Sequence, residues 1–127
     1  MSGVLVDTSV WVDHFRQGNV ALAKLLMQDE VFTHTMVIGV LACGTPPAPR
    51  TRTLGDLRLL PMVRNASMAE TMAFIERESI YGRGCGLIDI VLLTSTIITP
   101  GAKLWTLDKR LAGLAARFDV AHRAQAH

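Results

Sequence analysis

The sequence predicts an α/β protein with a central parallel sheet covered on both faces by helices, and three observations predict it. Short β-branched or apolar runs recur: "GVLVD" from Gly3, "EVFTH" from Glu30 and "KLWTL" from Lys103. Longer segments with helical spacing of apolar residues separate them. Strand and helix signals therefore alternate, which builds a parallel sheet because a parallel return needs a crossover. The length, 127 residues, suits one domain that hides roughly two-thirds of its unfolded surface. No repeat, low-complexity tract or linker divides the chain, so the expectation is a single domain over residues 1–127, with an unstructured tail from about residue 122.

Taken in order, the first run is a strand with Asp7 at its carboxyl end, and a helix follows through "SVWVDHF". "VALAKLLMQ" has apolar Leu22, Leu25 and Leu26 with Lys24 and Gln28 elsewhere, the pattern of an amphipathic helix. "EVFTH" is the second strand. "TMVIGVLACG", Thr35 to Gly44, reads as an apolar helix closed by glycine. "TPPAPR" then breaks the chain, because proline donates no backbone hydrogen bond and crowds the preceding turn. "SMAETMAFIERESI" opens with a capping box, in which Ser67 caps the amide of Glu70 and Glu70 reaches back to Ser67. "YGRGCG" is a turn, and "LIDIVLLTSTII" is a helix apolar almost all round, hence buried, that Pro100 and Gly101 stop. "KLWTL" is the last strand, with Asp108 at its carboxyl end.

Half of the residues are hydrophobic and 19% are charged, which leaves apolar surface over once one small core is full. That excess implies a subunit interface. The apolar runs are too short to span a bilayer, and no basic-then-apolar leader opens the chain, so the expected location is the cytoplasm. Cys43 and Cys85 offer neither a zinc spacing nor a disulfide framework and read as small buried hydrophobes. The net charge of +2 is too small to establish a nucleic-acid partner, although arginines gather in "PRTRTLGDLR" and around Lys109 and Arg110. A solvated face explains these groups equally well.

Ligands of open α/β sheets bind outside the carboxyl ends of the strands, where Asp7 and Asp108 fall. Asp89 sits in the first turn of an apolar helix, where a charge is costly unless paired. Singly, each acid is explained as a helix cap or as a charge favoured by a helix dipole. Together, carboxylates converging within about 4 to 6 Å repel one another and ask for a divalent cation, and Mg²⁺ or Mn²⁺ suits such oxygens.

Three segments, "VLVDTSVWVDHFR", "GRGCGLIDIVLLTS" and "LWTLDKRLAGLA", together with "LACG" after the apolar helix, resemble the acidic motifs of PIN-domain ribonucleases, most of all the VapC toxins of bacterial toxin–antitoxin pairs. The resemblance runs in order from Val4 to about Ala121. It implies a three-layer α/β/α sandwich, endonuclease activity on RNA with Mg²⁺ or Mn²⁺, homodimerisation and inhibition by a VapB-type antitoxin. It also implies a quartet of acids as catalytic and metal-holding residues. Asp7 matches the first acid, Asp89 the third and Asp108 the fourth, while Thr8 and Ser9 match small polar residues of the first motif that orient substrate or water. Arg83, Lys109 and Arg110 are candidate phosphate contacts.

The second acid of the family is the glutamate of "GELACG", and Val40 stands in its place here. No acid lies between Glu30 and Asp56 to substitute for it. Ile90, Val91 and Thr94 also depart from the family pattern, as tolerable repacking. One base change turns a glutamate codon into a valine codon, so a decayed natural toxin and a variant selected because it spares its host both fit. Two functions follow: a metal-dependent RNA endonuclease weakened by Val40, or a catalytically silent module that dimerises and captures its antitoxin. A phosphorylated receiver domain would want two adjacent acids after the first strand, and a haloacid-dehalogenase phosphatase would want a second aspartate where Ser9 stands.

Overall fold

A computed structural model describes residues 2–123; the end of the expected tail, residues 124–127, lies outside them. Three parallel strands, β1 (Gly3–Val6), β2 (Val31–Phe32) and β3 (Ala102–Trp105), form one sheet in the order β2-β1-β3. Val4 pairs with Val31 on one side and with Lys103 on the other. All four residues of β1 are buried, as a central strand with covered faces requires.

Seven helices join the strands: α1 (Thr8–Gln17), α2 (Val20–Met27), α3 (Thr35–Cys43), α4 (Arg50–Arg58), α5 (Met68–Glu78), α6 (Leu87–Ile98) and α7 (Lys109–Arg117). Helices α1, α3 and α4 pack in one series and α5, α6 and α7 in another, consistent with the expected three-layer sandwich. Helix α6 is buried from Ile90 through Thr96, and its threonines satisfy their hydroxyls locally, Thr94 donating to Ile90 O and Thr96 to Leu92 O. That is how an almost wholly apolar helix tolerates them. Leu92 and Leu93 are fully buried, each contributing about 1.5–3 kcal/mol of transfer free energy.

The capping box forms as expected, with Ser67 Oγ accepting from Glu70 N at 3.0 Å and Glu70 Oε1 accepting from Ser67 N at 2.8 Å. Helix α4 has no counterpart in the sequence reading, where its residues figure only as an arginine cluster. It is anchored by just two buried side chains, Leu54 and Leu57, too few to raise a helical period above its arginines and threonines. The second strand is shorter than "EVFTH" implied. Thr33 forms an isolated parallel bridge with Met62, and the His34 ring caps α3. Near the start of the expected tail, His122 N–H donates to Leu104 O at 2.9 Å and the His122 ring lies 5.3 Å from that of Trp105.

The cysteine reading needs correction. Cys43 is exposed, because it ends α3 at the surface turn into Gly44, and Cys85 is half-buried in the glycine turn before α6. Neither is a core hydrophobe.

Candidate active site

Strand order β2-β1-β3 makes β1 the point from which connections leave in both directions, and a crevice opens there beyond the carboxyl ends of the strands. It holds about 870 Å³. Asp7, Asp89, Asp108 and Val40 all line it, although they lie far apart in sequence. Each arrives by a different element. Asp7 leaves β1 as the N-cap of α1, Asp108 follows β3 as the N-cap of α7, Asp89 is in the first turn of α6, and Val40 stands on α3.

Asp7 is 4% exposed, and a carboxylate so buried needs partners. It has three. Ser9 Oγ donates to Oδ2 at 2.7 Å, Thr106 Oγ1 donates to the same oxygen at 2.8 Å, and Thr8 Oγ1 donates to Oδ1 at 3.2 Å. Ser9 Oγ also accepts from Leu107 N at 3.0 Å, and Thr106 Oγ1 accepts from Asp108 N at 3.0 Å. These hydroxyls tie the end of β1 to the segment after β3, so the first and last acids share one frame. Thr106 was not singled out in the sequence. Its signal was available: it alternates with Leu104 and precedes Asp108 by two, as Ser9 follows Asp7 by two.

Asp108 Oδ1 accepts from Arg110 N at 2.9 Å and from Leu111 N at 3.1 Å, so the capping explanation holds for this residue and leaves Oδ2 uncommitted to the helix. Asp7 makes no side-chain cap. The Asp89 carboxyl is pushed above the ordinary carboxylate range, first by burial and then by the negative charges of Asp7 and Asp108, against a backbone hydrogen bond from Gly86. Asp89 and Asp108 in turn add to burial in raising the Cys85 thiol, against the positive charge of Arg110. The acids thus sense one another across the crevice.

The cationic candidates are placed differently. Arg83, Lys109 and Arg110 are exposed and are not among the residues lining the crevice. Arg110 Nη1 donates to Gly84 O at 3.3 Å, and its guanidinium covers Gly84 so closely that a β-carbon there would meet Nη1 at 2.9 Å. The cation that does line the crevice is Arg16. Sequence reasoning passed over it, although Thr8, Val12, Phe15 and Arg16 recur at the spacing of one helical face. Asp56, the next acid after Glu30, lines a separate cavity of about 470 Å³ with Trp11 and Leu57, so it does not replace the carboxylate missing at Val40.

Among the described residues no three His, Cys, Asp or Glu side chains stand close enough to ligate one ion directly. The donor chemistry still fits a hard divalent cation that keeps much of its water, since such ions use only one or two carboxylates directly. Acids that raise the cost of the Asp89 charge, as Asp7 and Asp108 do, are the setting such an ion relieves.

A parallel α/β sandwich with acids gathered beyond the strand ends defines the PIN-like class. No protein-family model matches the chain. Two curated relatives do: each is called Ribonuclease VapC32, one from Mycobacterium tuberculosis strain CDC 1551 / Oshkosh and one from strain ATCC 25618 / H37Rv. Both are 38% identical over 120 residues, covering 93% of this chain and 94% of the relative. The chain belongs to the VapC family of PIN-domain ribonuclease toxins.

Proposed function

We propose that the chain is a VapC-type toxin, an RNA endonuclease dependent on Mg²⁺ or Mn²⁺, whose activity is impaired by Val40 and which a VapB-type antitoxin neutralises. The observation that carries this reading is that Asp7, Asp89 and Asp108 line one crevice together with Val40, the position where the family pattern has its second acid. Asp7, Asp89 and Asp108 would hold the cation. When bound, it stabilises charge building on the scissile phosphate and lowers the pKa of a nearby water. Ser9 and Thr106 fix the Asp7 carboxylate, and Thr8 orients its second oxygen. Val12 and Leu41 supply apolar wall to the crevice. The protein is proposed to be a cytoplasmic homodimer; among the described residues no helix is long and apolar enough to cross a membrane.

Val40 is 36% exposed at the crevice wall, so a longer polar side chain there would enter the crevice without displacing the core. The valine deletes a negative charge and up to two oxygen ligands, which favours the second reading, a silent module that retains antitoxin binding. Calorimetric titration with Mg²⁺ and Mn²⁺ beside an RNA cleavage gel separates the two. Val40→Glu is expected to bind the cations more tightly, to cleave RNA at least about tenfold faster, equivalent to about 1.4 kcal/mol of transition-state stabilisation, and to be toxic when expressed without antitoxin. A folded Val40→Glu protein that gains neither affinity nor activity would show that the quartet is misassigned and leave the silent module standing.

A further inference from the structure

The crevice extends well past the acids. Helix α1 carries its wall from Thr8 to Arg16, and at about 1.5 Å of rise per residue these ends stand roughly 12 Å apart along the axis. Arg16 is exposed and, among the described residues, has no ion-pair or hydrogen-bond partner, although three carboxylates line the same crevice. It is also the one cation among the described lining residues. Phe15, next to it on α1, lines the same crevice, and its half-buried ring rests on Trp11 with centroids 5.8 Å apart. One end thus suits a reacting phosphate neutralised by a metal, and the other carries a free guanidinium beside an aromatic ring.

We propose that Arg16 is a substrate-positioning residue, holding a phosphate that flanks the scissile one, and that Phe15 is the platform for the base between them, so that the crevice takes single-stranded RNA. The assignment rests on the ribonuclease reading and adds to it the direction in which the strand runs along α1. An unpaired cation beside an aromatic face is the pairing by which single strands are held without reading sequence. A duplex keeps its bases stacked inside and offers none to Phe15. An acidic protein segment would satisfy Arg16 but has no need of the ring.

The test is fluorescence anisotropy of a labelled single-stranded RNA oligonucleotide in EDTA over a range of salt. Arg16→Gln is expected to weaken binding about fivefold at low salt. It should also flatten the slope of log affinity against log salt by about 0.7, the share of one phosphate contact on a single strand. Arg16→Lys is expected to keep the slope, and Phe15→Leu to weaken binding while leaving the slope alone. Lys103→Gln, which removes a charge from β3 outside the crevice, controls for net charge and is expected to change neither. If Arg16→Gln lowers the melting temperature but leaves affinity and slope at wild-type values, Arg16 is only a favourable charge at the end of α1 and the assignment falls while the ribonuclease reading survives. If it weakens binding of a polyaspartate peptide and not of RNA, the crevice belongs to a protein segment and the assignment also falls. RNA binding by neither the wild-type nor the Val40→Glu protein, in EDTA or with Mg²⁺, overturns both the assignment and the ribonuclease reading.

Discussion

Asp89 is held where its charge is least welcome. It is partly buried at the start of α6 and faces the fields of Asp7 and Asp108, so its folded-state pKa stands above the unfolded value. The folded chain therefore binds more protons than the unfolded one as pH rises through the carboxylate range, and stability is lost as pH climbs through the folded pKa. Asp89→Asn is accordingly expected to stabilise the metal-free protein at pH 7 and to weaken that loss, measured by urea unfolding. A destabilised Asp89→Asn protein would make Asp89 a partner in an ion pair or cap. The three aspartates were legible because each sits at a motif that could be read locally. Thr106 and Arg16 were harder, since each acquires its role only when β3 or α1 is set against a distant element. The cations near Asp108 were misleading for the same reason: sequence proximity placed Arg110 beside the acid, while its side chain turns to the Gly84 carbonyl.

At the scale of elements, His34 shows how a helix start is joined to the core. Its Nδ1 accepts from Met36 N at 2.9 Å, capping α3, so in the neutral ring Nε2 carries the proton and donates to Ser95 Oγ on α6 at 2.9 Å. The same Ser95 oxygen accepts from Ala66 N at 2.9 Å, just before α5. Protonating Nδ1 would break the cap. Burial lowers the His34 pKa from 6.5 to about 4, and the sign follows: the unfolded chain takes up the proton first as pH falls, so this contribution is complete above about pH 6.5 and is lost between there and about pH 4. Its full size is about 3 kcal/mol. In urea unfolding from pH 7 to pH 4, His34→Asn is expected to be less stable at pH 7, through the lost Ser95 contact, yet flatter across that window because Asn still caps α3. Equal slopes for the two proteins would mean that His34 does not titrate with unfolding. Elements with strong local chemistry, such as the Ser67 capping box and the apolar α6, were readable in advance. Helix α4 was not, because its two leucines define a buried face only once α3 is packed against it.

The molecule as a whole carries more apolar surface than its core can cover. Met36, Met62, Met68 and Met72 are 39%, 45%, 52% and 49% exposed. Contacts gather them into one region: Thr35 Oγ1 reaches Met62 Sδ at 3.7 Å, Asn65 Nδ2 donates to Thr35 Oγ1 at 2.7 Å, and Ser95 joins His34 to Ala66 immediately before α5. Methionine adapts its shape to a partner at little cost, and a second copy of the chain offers the same surface in return, as a twofold interface requires. The purified protein is therefore expected to have the mass of a dimer in light scattering, and Met68→Glu with Met72→Glu to shift it toward the monomer, because two buried like charges per copy would face their symmetry mates. Both residues project from an exposed helix surface, so the doubly substituted chain should keep its far-ultraviolet circular dichroism. A wild-type mass that stays monomeric at every concentration would reject the dimer, and a dimer indifferent to the double substitution would place its interface on another face.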